Sequence, residues 1–175
     1  MHQFRTLIAA DAVQRRIGEI AADLRNRYPD TPPCVIAVME GARVFAEALL
    51  RHLPWDVPLE GIRASSYGNE TTSGGTVHVD GDHGVDVAGR PVLLLEDIVD
   101  TGRTVDRLRG MLLQHGATEV HVATLLSKPS RRVVEVELEH VGFEIPDEFV
   151  IGFGMDFAGN FRELDHIAIY EPSAD

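Results

Sequence analysis

Residues 91–108 read PVLLLEDIVDTGRTVDRL, and no other stretch constrains the fold as much. A short, near-continuous apolar run is the pattern of a strand buried on both faces, as in a parallel sheet covered by helices. This run ends in Glu96 and Asp97, with Asp100 three residues on. Unpaired carboxylates are costly inside a sheet, so they belong at the strand's carboxyl end, beside something that neutralises them. Thr101-Gly102-Arg103-Thr104 then opens a helix. The glycine allows a tight turn, and the two hydroxyls and the free amides of the helix N-terminus make a cradle for a phosphate. Acids beside such a cradle repel an anion unless they touch its hydroxyls or a divalent metal. The ligand indicated is a sugar phosphate that carries both.

The rest of the chain supplies the partners of this strand. Apolar positions at Val13, Ile17, Ile20, Ala21, Leu24 and Tyr28 step by three or four, which predicts an amphipathic helix over 10–28 ended by Pro29. A buried strand is expected over 34–39, a helix over 42–53 and a strand over 57–68. Residues 69–75, NETTSGG, read as a mobile polar loop, and 76–90 as a short strand and turn. The opening strand is expected over 91–96, its helix from about Thr104 to His115 with Gly116 as the cap, and further strands over 118–127 and 149–155. An alternating, edge-like segment lies within 131–143. Strands alternating with helices imply a mainly parallel sheet flanked by helices, in which ligands bind at the carboxyl ends of the strands.

The 175 residues suit one domain, and 44% apolar with 25% charged residues is ordinary for a soluble globular protein. No apolar run approaches the ~20 residues of a membrane span, and the first residues, MHQFRTLIAADAVQRR, lack a signal-peptide pattern, which places the chain in the cytoplasm. The single cysteine, Cys34, heads an apolar run and reads as a buried structural thiol. A net charge of -12 argues against a nucleic-acid or anionic-membrane surface. Of the 16 basic residues only Lys128 is a lysine, which singles it out.

The segment LLLEDIVDTGRT resembles the phosphoribosyl pyrophosphate signature of the type I phosphoribosyltransferases at every defined position. The likeness extends over about residues 34–170. RASSYGN resembles the flexible catalytic loop, LLSKP the purine-contacting lysine segment and VGFEIPDEFVIGFGMDF the base-stacking hood of the hypoxanthine/guanine branch. The resemblance implies one domain over 1–175 with the type I phosphoribosyltransferase fold. A small hood, formed by the N-terminal segment and about 130–175, is expected over the carboxyl ends of the strands. It also implies magnesium-dependent purine salvage: transfer of 5-phosphoribosyl from phosphoribosyl pyrophosphate to N9 of hypoxanthine, guanine or xanthine, giving a purine nucleoside monophosphate and pyrophosphate. A homodimer or homotetramer is expected on the same ground.

By the same resemblance, Glu96 and Asp97 hold the ribose hydroxyls directly or through Mg2+, and Asp156 is a further metal-linked carboxylate. Asp100, Thr101, Gly102, Arg103 and Thr104 wrap the 5'-phosphate. Asp100 also matches the acid that handles the proton near purine N7, a role compatible with capping the turn that follows. Lys128 matches the donor to purine O6; a pure donor suits a carbonyl and disfavours an amino group there. Phe149 matches the ring that stacks on the purine, with the Val150 backbone at the base edge, and Arg162 a pyrophosphate-binding arginine. Ser66 and Tyr67 belong to a lid that excludes water. One departure stands out: the loop that binds pyrophosphate through its backbone, often with a cis peptide, reads Met39-Glu40-Gly41, with an acid where a basic residue is common. Arg43, one helical turn on, is placed to compensate.

Two other readings start from the same residues. One is a non-catalytic phosphoribosyl-diphosphate sensor regulating transcription, although no basic helix-turn-helix precedes Cys34. The other is a transferase of the same fold for adenine, xanthine or a pyrimidine, against which the hood segment and Lys128 argue. HVDGDHGVD, residues 78–86, reads as an acidic solvated turn rather than a metal site.

Overall fold

The computed structural model of the chain describes residues 3–63, 76–78 and 84–171. Among these the elements run β1 (Gln3–Ile8), α1 (Ala10–Arg27), β2 (Cys34–Val38), α2 (Arg43–Arg51), β3 (Leu59–Ile62), β4 (Thr76–His78), β5 (Gly84–Asp86), β6 (Pro91–Val99), α3 (Arg103–Gln114), β7 (Glu119–Ser127), β8 (His140–Glu144), β9 (Val150–Ile151) and β10 (Ile167–Glu171). β2, β3, β6, β7 and β8 form a fully parallel sheet in the order β3-β2-β6-β7-β8, with β6 at its centre.

The period of two along each strand sorts the core onto two faces. Val35, Ala37, Leu93 and Leu95 pack with Val13, Ile17, Ile20 and Leu24 of α1 and with Phe45 and Leu49 of α2. Ile36, Val38, Val92, Leu94 and Val122 face the other way, onto Val105, Leu108 and Leu112 of α3. A fully buried side chain of this size contributes about 1.5–3 kcal/mol relative to exposure. The same parity continues into the acids. Glu96 follows Leu94 toward the α3 side and Asp97 follows Leu95 toward α2, so neighbouring carboxylates serve opposite faces of the sheet.

Differences from expectation have local causes. β6 continues past Glu96 to Val99 because apolar Ile98 and Val99 still pair with Leu126 and Ser127 of β7. The predicted edge segment is a strand only from His140 onward, and it does form the sheet's edge. The predicted strand over 149–155 shortens to Val150–Ile151, since Gly152, Phe153 and Gly154 all take positive φ and turn the chain. β1 and β10, neither of them an expected strand, pair antiparallel and form with β9 a second sheet in the order β1-β10-β9. Cys34 is buried, and burial raises its thiol pKa. The predicted loop at 69–75, and 79–83 of the acidic turn, lie outside the described residues. No helix among the described residues is long and apolar enough to cross a membrane.

Candidate active site

A cleft of about 330 Å³ opens at the carboxyl ends of β2, β6 and β7. Eight of the residues singled out from sequence line it: Gly41, Asp97, Asp100, Lys128, Phe149, Val150, Asp156 and Arg162, together with Ile98 and Met155. A smaller recess on the α3 side is lined by Glu96, Asp100, Gly102 and Thr104, so Asp100 borders both.

The recess is built by the turn between β6 and α3. Gly102 sits at φ 85°, a left-handed conformation that glycine adopts without penalty. The Thr101 N–H donates to Asp100 Oδ1 at 2.6 Å, and the Arg103 N–H donates weakly to Thr101 Oγ1 at 3.4 Å. Asp100 therefore caps its turn and faces the cleft at the same time. Arg103 contributes the first helical N–H, while its side chain is exposed.

Glu96 is only 6% exposed, and its Oε1 accepts the Asp97 N–H at 3.2 Å. Burial, reinforced by the charges of Asp97 and Asp100, pushes the Glu96 carboxyl well above the usual range. Asp97 Oδ1 accepts the Ile98 N–H at 2.8 Å, and the same carboxylate occupies the space where a Cβ on Gly41 would stand. The charges of Asp97 and Asp100 thus bear on a carboxyl that burial already disfavours as an anion. Among the described residues no three His, Cys, Asp or Glu side chains gather to hold a metal alone. An oxygen-only set of one or two carboxylates fits a magnesium ion that keeps waters and takes its remaining ligands from a substrate.

The opposite wall comes from the turns after β9. Asp156 Oδ1 pairs with Arg162 at 2.8 Å, and its Oδ2 accepts the Gly159 N–H at 2.7 Å. Arg162 also donates to the Gly154 carbonyl at 2.5 Å, and Gly154 in turn lies against the Gly41 carbonyl. Read alone, Asp156 and Arg162 resemble surface residues; the positive-φ turns over 152–161 fold them inward.

Phe149 is 52% exposed, unusual for a large apolar ring, and it borders the cleft. It is held edge-on by Phe157 and Tyr170, at centroid distances of 5.7 and 6.1 Å. Lys128 is largely buried, with its ammonium 3.7 Å from Asp147. Neither the aromatic support nor Asp147 was marked in the sequence, because both contacts join separate segments.

The Met39–Glu40 peptide is cis. The acid at position 40 has two cationic partners, Arg43 at 3.1 Å and Arg63 at 3.0 Å. The hydrogen bond from Arg43, aided by the charges of Arg43, Arg63 and Arg162, holds the Glu40 carboxyl below its usual range. Arg43 thus pairs with the acid, and Arg63 adds a partner the sequence did not reveal. Ser66 and Tyr67 lie outside the described residues.

The phosphoribosyl transferase domain family matches residues 6–158 of this chain. The chain belongs to the phosphoribosyltransferase family. Its curated relatives place it in the hypoxanthine-guanine branch. The hypoxanthine-guanine phosphoribosyltransferase of Bacillus subtilis is 37% identical over 169 residues, covering 97% of this chain and 94% of that one. The crystal structure of a hypoxanthine-guanine phosphoribosyltransferase from Bacillus anthracis superposes with a TM-score of 0.86 at 36% identity, covering 98% of this chain and 100% of the other. A hypoxanthine phosphoribosyltransferase from Trypanosoma cruzi, solved with its product IMP, superposes with a TM-score of 0.83 at 31% identity, covering 98% and 95%. This phosphoribosyltransferase shares its fold with both solved structures over nearly its whole length.

Proposed function

We propose that the chain is a purine-salvage hypoxanthine (guanine) phosphoribosyltransferase that moves 5-phosphoribosyl from phosphoribosyl pyrophosphate to N9 of a 6-oxopurine. One observation carries the reading. A single cleft is bordered by the phosphate turn through Asp100, by the only lysine of the chain and by a half-exposed phenylalanine.

The roles follow from position. The turn Asp100–Thr104 offers hydroxyls and helix N-terminal amides to the 5'-phosphate. Phe149 stacks on the purine, the Val150 backbone meets its edge and Lys128 donates to O6. The N9 lone pair forms the bond to C1 of the ribose as the C1–oxygen bond breaks, its electron pair leaving with pyrophosphate. The proton released from the purine is taken at N7 by the Asp100 carboxylate. Gly41 brings its backbone N–H, and Arg162 a guanidinium, toward the departing diphosphate. Glu96 and Asp97 hold the ribose hydroxyls, and either of them, or Asp156 on the opposite wall, would supply a carboxylate to Mg2+. When bound, the metal neutralises diphosphate charge and makes it a better leaving group.

The assay is direct. Purified protein with phosphoribosyl pyrophosphate, hypoxanthine and Mg2+ is expected to yield IMP, and a chelator is expected to abolish it. Absence of IMP together with tight operator binding would instead favour the sensor.

A further inference from the structure

The turn after β7 carries an arginine with no part in the mechanism above. Arg132 reaches back across the site: its Nε–H donates to the Asp100 carbonyl at 3.0 Å, and its Nη2 donates to the Ser127 hydroxyl at 2.9 Å. A Cβ at Gly102 would come within 3.0 Å of Arg132 Cδ, so the arginine stem lies directly against the phosphate turn. The two residues that follow fasten the same turn independently. The Val133 and Val134 N–H groups both donate to the Thr101 carbonyl, at 2.9 and 3.0 Å.

The chemistry of these acceptors gives the contact its meaning. The Asp100 carbonyl and the Thr101 N–H belong to one peptide group, and that N–H holds Asp100 Oδ1 at 2.6 Å. A guanidinium on the carbonyl polarises the peptide and strengthens the hydrogen bond on its N–H side. Arg132 thereby fixes the orientation of the Asp100 carboxylate through two hydrogen bonds in series. Its other arm holds the buried Ser127, the residue immediately before Lys128, whose own N–H donates to the Val99 carbonyl at 2.9 Å. One planar group therefore spans the residues that present Asp100 and Lys128 to the cleft.

We propose that Arg132 is a positioning residue that sets the spacing between Asp100 and Lys128, and so the fit of the purine between its N7 and O6 edges. The inference rests on the function proposed above. A guanidinium donates from two nitrogens in fixed in-plane directions, whereas a lysine donates from one flexibly held nitrogen and does not reproduce that spacing.

The test compares wild type, Arg132→Gln and Arg132→Lys by initial-rate kinetics of IMP formation and by thermal unfolding. For Arg132→Gln, kcat is expected to fall on the order of 10- to 100-fold, the scale of an ångström-level misplacement at a reacting centre. The hypoxanthine KM should rise. The KM for phosphoribosyl pyrophosphate should stay within about threefold, because Val133 and Val134 still hold the turn by backbone bonds. Arg132→Lys should recover part of kcat, and it carries the test alone if the glutamine variant does not fold. Wild-type kcat and hypoxanthine KM in a folded variant would overturn the proposal, as would a loss explained wholly by the unfolded fraction. Failure of the wild type to make IMP would instead remove the function on which it rests.

Discussion

Replacing Gly41 by alanine tests the geometry of the cleft with a single methyl group. Gly41 has no positive φ, so alanine can take its backbone conformation. The obstacle is Asp97: the new Cβ would overlap Oδ2 and stand 2.6 Å from Cγ. Carbon atoms prefer roughly 3.5–4.0 Å, so the carboxylate must retreat by about 1 Å. That motion also pulls Oδ1 from the Ile98 N–H, now at 2.8 Å, a stability loss of about 1 kcal/mol. With Asp97 on the reacting ribose or its metal, as proposed, a displacement of ~1 Å costs on the order of 100-fold, equivalent to about 2.7 kcal/mol of transition-state stabilisation. Initial rates of IMP formation against phosphoribosyl pyrophosphate, with thermal unfolding measured in parallel, separate these effects. The expected result is a folded protein with kcat/KM for the donor down about 100-fold. A value within threefold of wild type would refute the assignment of Asp97 to the ribose or metal.

Lys128→Met keeps the length of the side chain and removes its donor, so kcat/KM for hypoxanthine should fall by about 10- to 100-fold while any trace rate with adenine does not; a parallel loss for both bases would contradict the O6 role. Glu40→Lys places a cation beside Arg43 and Arg63 and should lower the KM for phosphoribosyl pyrophosphate by roughly 3- to 10-fold; an unchanged or higher value argues that the loop binds through its backbone alone. His121 and His140 lie 5.0 Å apart, ring to ring. Burial first, and for His140 also the neighbouring His121, hold both below the usual imidazole range. The unfolded chain then binds more protons than the folded one as pH falls below about 6.5, so the stability present above that pH is lost through the depressed folded pKa values. Denaturant midpoints should drop between pH 7.5 and 5.5, and His121→Asn should flatten that drop; an identical slope would exclude the pair as its source.

The parts of the site that are local in sequence were legible, and those made by distant segments were not. The acids of β6, the turn at Gly102 and the helix after it form one continuous stretch whose apolar run, charges and glycine each have a single structural use. Lys128 stood out because nothing else in the chain is a lysine. The period of two already implied that Glu96 and Asp97 face opposite ways, a signal present in the sequence but obscured by treating them as a pair. The approach of Gly41 to Asp97, the reach of Arg63 to Glu40 and the span of Arg132 to Asp100 join segments whose proximity follows from sheet order, which no local pattern encodes. The second sheet was missed for the same reason: β1 meets β10 across nearly the whole chain, with Gln3 opposite Glu171. Phe149 shows the limit of residue type, since its half-exposed ring is set by the turn it enters and the aromatic rings behind it.

The most direct measurement offers the protein equimolar hypoxanthine, guanine, xanthine and adenine with phosphoribosyl pyrophosphate and Mg2+, and separates the nucleotides by chromatography. IMP formed ahead of the others, with AMP at background and all products lost on chelation, is the result predicted by a cleft that reads a 6-oxo group through Lys128. AMP as the leading product, or no nucleotide from any base, would contradict it.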